Sequence, residues 1–242
     1  MTETADNLSL AFEAYTTVRQ RILRGELPMG QVISRRKLAA ELGMSFLPVS
    51  EALLRLEFEG LLESRPRAGT RVRIPTLRDV QGHYTVREAL EVQAARLFTS
   101  AATVEERNEL QKLAARVDLM AYQPEADRLH YLTLHEKLHR RIADCARCES
   151  LSDAIEKTHA LASTWMCVGR SGSGEEPKRT PHQSLLEVLC GADSERAGEA
   201  MRRHIVSSQT RALERLQPYF EMHKVNGATY ARSAKRNLEL AG

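Results

Sequence analysis

Cysteine is scarce in this chain of 242 residues: Cys145, Cys148, Cys167 and Cys190 are all there is, and they follow no disulfide-framework spacing. That excludes a small scaffold stapled by disulfides, and reduced thiols in a cytoplasmic protein are expected. Long apolar runs are missing too, so neither a membrane span nor a secretory leader behind Met1 is expected. Neither sign of charge dominates. Lys and Arg number 35 against 32 Asp and Glu, for a net charge of +3 and a pI near 8.7. This balance permits nucleic-acid binding without demanding it. Strand-like alternation is confined to one short region; from Pro75 to about Phe220 the periodicity is helical throughout, with no internal repeat.

What is present is concentrated first between Ser34 and Leu62. Ser34 can cap a helix whose inner stripe is Leu38, Ala39 and Leu42, and Gly43 suits the left-handed residue that ends it. Ser45 is placed to cap a second helix. Pro48 falls in its first turn, where a missing N–H does little harm, and Val49, Ala52, Leu53 and Leu56 recur at helical spacing up to Gly60. Two capped helices around a glycine turn predict a helix-turn-helix, whose second helix offers its N-terminal part to the major groove. Leu61–Pro75 then reads as two extended runs around a Pro/Gly turn, with Arg71, Val72, Arg73 and Ile74 alternating as in a half-buried strand. That adds a wing, on which Arg65, Arg67, Arg71 and Arg73 suit phosphate contacts.

The fold class expected is mainly α: an N-terminal winged helix-turn-helix over residues 1–75, an all-α helical bundle over 76–220, and a polar, basic tail over 221–242. A helix over 11–24 should precede the helix-turn-helix, with a loop at Leu27–Gly30. Six helices are expected in the bundle, near 77–101, 104–121, 125–146, 149–168, 180–191 and 194–217. Thr76, Thr103 and Asp193 are placed to cap three of them, and Pro124 suits a first turn. Gly169–Gly174 reads as the most flexible internal loop. A further short helix could lie near 228–240.

The chain resembles GntR-family transcription regulators of the FadR type, whose C-terminal half is the all-helical FCD domain. The resemblance rests on I-L-R-G-E-L-P-M-G (Ile22–Gly30), L-A-A-E-L-G-M-S (Leu38–Ser45), P-V-S-E-A-L (Pro48–Leu53), L-E-F-E-G-L-L (Leu56–Leu62) and R-P-R-A-G-T-R-V (Arg65–Val72). In the second half it rests on V-R-E-A-L-E (Val86–Glu91), H-E-K-L-H (His135–His139) and the pair His182 and His204. Six helices point to the VanR branch. The resemblance implies a homodimer on a pseudo-palindromic DNA operator, with a small carboxylate effector. DNA contacts are expected from Arg35, Arg36, Ser45, Phe46, Leu47, Ser50, Arg55, Arg65, Arg67, Gly69 and Arg71. Family members usually carry arginine where Phe46 and Ser50 stand. Phe46 and Leu47 can touch a thymine methyl but cannot donate to guanine, so a less guanine-centred operator is expected. The alternative is that Phe46 packs against its own domain.

His135 and His139 lie one turn apart and share an inward face with Leu132, Leu138 and Ile142, so both rings could reach one metal ion; a pair of simply buried histidines is the plainer alternative. The resemblance implies more. Many FCD domains hold a divalent metal with one Asp and three His. Here His135 stands at the Asp position, and His139, His182 and His204 match the histidines. An all-imidazole site is neutral and softer, favours zinc or nickel over manganese or magnesium, and leaves both charges of the ion to attract an anion. A direct metal sensor and a metal-free pocket are the alternatives within this class. Arg87 either pairs with Glu91 at i+4 or, as the resemblance implies, faces the effector, with His83, Trp165 and Arg170 as further candidates for the pocket wall.

H-E-K-L-H also fits the H-E-x-x-H signature of zinc metallopeptidases, with Glu136 as general base. An enzyme is therefore the competing class, although it needs a third ligand from a different fold, His159 or Glu156. Cys145 and Cys148 form a lone C-x-x-C, more simply read as two thiols near a helix end than as a zinc or redox pair.

Overall fold

In the computed structural model, residues 2–65, 69–121, 128–167 and 181–239 are described, with side chains for 9–65, 69–121, 129–159, 161–166 and 181–221. Arg67, Pro124, Arg170 and the Gly169–Gly174 loop lie outside the described residues.

Helix α1 (Thr2–Leu23) buries Ala14, Val18 and Ile22, a stripe at four-residue spacing, and Gly25 (φ 78°) ends the turn that follows it. Helix α2 (Arg35–Leu42) begins at Ser34, whose hydroxyl accepts from Lys37 N–H at 3.3 Å. It ends at Gly43 (φ 64°), and Met44 N–H reaches back to the Ala39 carbonyl. Helix α3 (Phe46–Phe58) buries Val49, Ala52, Leu53 and Leu56. Ser45 has the extended N-cap backbone, yet its hydroxyl makes no capping bond. The reason is local: the third helical residue is Pro48, which has no N–H to donate.

The wing is strands β2 (Leu62–Arg65) and β3 (Gly69–Val72), paired antiparallel with Leu62 opposite Val72. Contrary to the two-stranded expectation, β1 (Val32–Ile33) adds to the other edge of β3, giving the order β1-β3-β2. Two residues carry no periodicity, so β1 has no sequence signature of its own.

Six helices follow among the described residues, the number expected. Helix α4 (Leu77–Ala101) opens with a capping box between Thr76 and Asp79, and α5 (Val104–Ala121) with reciprocal bonds between Thr103 and Glu106. Then come α6 (Arg128–Cys145), α7 (Glu149–Cys167), α8 (His182–Leu189) and α9 (Ser194–Glu239), where Asp193 accepts from Arg196 N–H at 2.9 Å. Helix α9 runs through Pro218 rather than stopping before it, and it covers the expected short helix in the tail. Leu216 and Phe220 are both buried on either side of the proline, so packing holds the axis where one backbone bond is missing. No helix among the described residues is long and apolar enough to cross a membrane.

Apolar side chains gather in two main clusters. One joins α1, α2, α3 and the sheet around Val49, Leu53, Leu56 and Val72; the other fills the bundle around Tyr84, Phe98, Leu110, Leu138 and Leu186. Leu161 of α7 packs against both. It also presses on Gly60, where an added Cβ would lie 3.3 Å from the leucine and φ is 79°.

A histidine centre in the helical domain and an exposed recognition helix

Three helices bring four imidazoles together. His135 and His139 project from α6, His182 is the first residue of α8, and His204 lies on α9. Each is between 2% and 4% exposed, and one ring nitrogen from each falls within 4.8 Å of the others. Ring centroids are 4.7 Å apart for His135 and His139, 4.9 Å for His182 and His204, and 5.2 Å for His139 and His204. His135 Nδ1, His139 Nε2 and His204 Nδ1 are buried with no hydrogen-bond partner. Leaving a buried polar atom unpaired costs about 1–3 kcal/mol, so three at one point call for a shared ligand.

Carboxylates stand behind the rings. Glu91 on α4 accepts from His139 Nδ1 at 2.6 Å, which leaves Nε2 turned to the centre. Asp118 on α5 accepts from His182 Nδ1 at 2.8 Å, and from the backbone N–H groups of His182 and Gln183 at 2.9 Å each. It thus caps α8, whose own N-cap residue, Pro181, has no side chain to do so. A carboxylate on the far nitrogen of a histidine is the usual support for a metal ligand. The donor set therefore fits a divalent cation held by His135, His139, His182 and His204.

Electrostatics agree with neutral His135 and His204 rings and charged supports. Burial, then the neighbouring imidazoles, hold His135 and His204 well below the ordinary histidine range. Burial alone would raise Glu91, but Arg87 and His139 outweigh it and keep the carboxyl well below its usual value. Asp118 is likewise lowered, the bonds from His182 and Gln183 overriding burial. His159 on α7 stands 3.8 Å from Glu91, and burial drives it down to about 3.

Arg87 is 1% exposed and donates to Glu91 at 2.8 Å. The i,i+4 pair thus forms, and the arginine stands behind the histidines. Beside them is a cavity of about 10 Å³, room for about one water, bordered by Tyr131, His135, His182, Ser208, Arg211 and Arg215. Arg87, His83 and Trp165 do not line it. The two α9 arginines had no part in the sequence reading; helical periodicity placed them on a face without saying what it met.

His83 Nε2 donates to the Thr158 carbonyl at 2.8 Å, and the ring sits edge-on to buried Trp165. Burial, then Arg87, lowers its pKa to about 4. Between pH 6.5 and 4 the unfolded chain therefore binds the proton more readily. The stability that follows is complete above pH 6.5 and is lost as pH falls through 4, at most about 3 kcal/mol. His83→Gln keeps the donor and removes the titration, so its unfolding free energy should depend less steeply on pH in that window; a slope equal to the parent's contradicts this.

In the N-terminal half Phe46 and Leu47 are 54% and 55% exposed at the start of α3, so Phe46 is not packed into its own domain. Ser45 and Arg36 are exposed as well. Ser50 is a correction: it faces inward at 9% exposure, because it shares the inner face with Val49 and Leu53. Arg55, with its side chain 55% exposed, lies over the Tyr15 ring at 4.1 Å and pairs with Glu59 in the last turn of α3. Arg35 reaches Thr70 Oγ1 at 3.4 Å, tying α2 to the wing. Arg65 and Arg71 both pair with Glu63, and Gly69 (φ 76°) opens β3.

Residues 10–72 match the bacterial regulatory proteins of the gntR family, and residues 83–207 match the FCD domain. The chain is a GntR-family transcription regulator with an FCD domain. It is 28% identical over 200 residues to the "Probable D-xylose utilization operon transcriptional repressor" of Paenarthrobacter nicotinovorans, covering 82% of this chain and 87% of that one. It is 23% identical to the HTH-type transcriptional repressor RspR of Escherichia coli, over 80% and 84% of the two chains. Among solved structures, E. coli McbR/YncC superposes with a TM-score of 0.68 at 19% identity, covering 85% of this chain and 97% of that one. A GntR regulator from Rhodococcus sp. RHA1 gives the same score at 18%, covering 85% and 98%. These matches are to regulators, not enzymes. Glu136, the general base of the peptidase reading, is turned out of the histidine centre and held by Arg19 of α1 at 3.0 Å.

Proposed function

We propose that this regulator binds a pseudo-palindromic operator as a homodimer through residues 1–75, and that a small organic acid held in residues 76–220 controls the binding. The effector would sit beside a divalent ion, zinc or nickel, ligated by His135, His139, His182 and His204. The convergence of four buried imidazoles, two of them backed by carboxylates, carries this reading. A bound cation would supply a positive anchor for a carboxylate. Two of the relatives are named repressors, and repression released by the effector is the default.

An effector controls DNA binding only if the two halves favour different arrangements with and without it. Helix α6 is suited to carry that difference. Its inner face holds His135 and His139, while Glu136 between them pairs with Arg19 of α1. Arg19→Ala is expected to reduce the effector's influence on operator affinity several-fold while effector binding stays within about twofold, as titrations of both partners would read. An undiminished influence contradicts this.

At the DNA, exposed Phe46 would meet thymine methyl groups. Phe46→Arg should move selected operator sequences toward guanine at one position in each half-site; unchanged preference sinks the readout. With Ser50 turned inward, the partner change there is uninformative.

A thermal-shift screen of organic acids, with and without chelator, tests the whole reading, since a bound ligand stabilises the folded state. A shift that needs both acid and metal is expected. The small size of the cavity favours one second reading, a direct sensor of the metal. That reading predicts a shift with metal alone and none added by any acid.

A further inference from the structure

Helix α7 meets both halves of the chain, and with opposite faces. His159 and Leu161 are two residues apart, about 200° around the helix axis. His159 turns to the histidine centre: its ring is buried, its centroid lies 5.3 Å from that of His139, and its Nε2 is 3.8 Å from Glu91. That distance is too long for a hydrogen bond, and Nε2 has no other partner. Leu161 turns to the DNA-binding half and presses on Gly60, where α3 gives way to the wing. There the Leu61 N–H closes α3 on the Leu56 carbonyl at 2.9 Å, and the Leu61 carbonyl accepts from Arg73 N–H at 2.9 Å. Arg73 also pairs with Asp79 of α4 at 3.0 Å. The joint between recognition helix and wing is thus held between α4 and α7, which are themselves tied by the bond from His83 to the Thr158 carbonyl.

We infer that Leu161, seated on Gly60, is the contact through which the histidine centre reaches the joint between α3 and the wing. This rests on the reading that a ligand in residues 76–220 controls operator binding, and it names a route besides the Arg19–Glu136 pair. Glu91 is shared by Arg87, His139 and, across the 3.8 Å gap, His159. A cation on His139 Nε2 makes the Nδ1–H of that ring a stronger donor and draws Glu91 toward it. His159, with its Nε2 unbonded, can follow the carboxylate, and α7 shifts with it. Close packing passes such a shift on rather than absorbing it. At the far end Leu161 bears on a glycine, so it meets backbone directly, with no side chain between that could turn aside.

The test uses the full-length chain and zinc alone, with amide hydrogen exchange followed in the peptides that carry the Leu61 and Arg73 amides. Zinc should slow exchange there by about fivefold or more in the parent, the low end of a coupling between two sites. In Leu161→Ala that slowing should largely vanish, while calorimetry finds zinc affinity within about twofold of the parent's, the substitution being remote from the ligands. Leu161→Met keeps the volume and should retain most of the slowing. Leu161→Val trims one methylene and should lose part of it, which decides the matter should the alanine chain fold poorly. Exchange that zinc leaves unchanged at Leu61 and Arg73 in a parent that binds the ion overturns the Leu161 route and leaves the acid-effector reading standing. So does a slowing as large in the alanine and valine variants as in the parent. No uptake of zinc by the parent overturns both.

Discussion

His139→Ala and His204→Ala are each expected to weaken divalent-ion binding by on the order of 100-fold or more, because even residues behind a metal's ligands cost 10- to 100-fold when changed. Stability should show the same split. A ligand present at a thousand times its dissociation constant adds about 4 kcal/mol to the folded state. Zinc should therefore raise the melting temperature of the parent by many degrees and leave the two variants near their chelated values. The chelated His139→Ala chain should melt below the chelated parent, since the substitution strips buried Glu91 of its 2.6 Å donor. Equal stabilisation by zinc in parent and variants would place the ion elsewhere.

Glu91→Ala should be the most destabilising single change near the centre, at about 3–5 kcal/mol by chemical denaturation. The carboxylate is buried between Arg87 and His139, and removing it strands the guanidinium in the bundle with a nitrogen already unpaired. Arg87→Met together with Glu91→Gln removes the stranded charge and should recover a good part of the loss, as buried pairs replaced on both sides often do. Glu91→Gln alone should lower metal affinity 10- to 100-fold through the weakened hold on His139. A cost below about 1 kcal/mol for Glu91→Ala would mean that the arginine reaches water or another acceptor once its partner is gone.

Much of this was legible in the chain because it is written locally. The Ser34 cap, the Gly43 turn and the Val49–Leu56 spacing lie within one or two helical turns, and they give the helix-turn-helix directly. Thr76 with Asp79 and Thr103 with Glu106 mark helix starts in the same way. The pairing of Arg87 with Glu91 could be read from a four-residue interval. The contacts that support the histidines could not. Asp118 reaches His182 across 64 positions and Glu91 reaches His139 across 48, with no periodicity linking them. Resemblance to the family puts Ser50 at the DNA, and only the docked α3 shows it buried beside Val49 and Leu53. Pro218 looked like an end because a proline removes a backbone donor, yet Leu216 and Phe220 are held on the same core.

The most direct measurement is X-ray absorption on the zinc- or nickel-loaded chain. Four nitrogen ligands at about 2.0–2.1 Å for zinc, with the multiple-scattering signature of imidazole and the loss of one such ring in His135→Ala, are what four converging histidines should produce. A shell dominated by oxygen or sulfur, or one unchanged in His135→Ala, would contradict the histidine centre on which the regulatory reading stands.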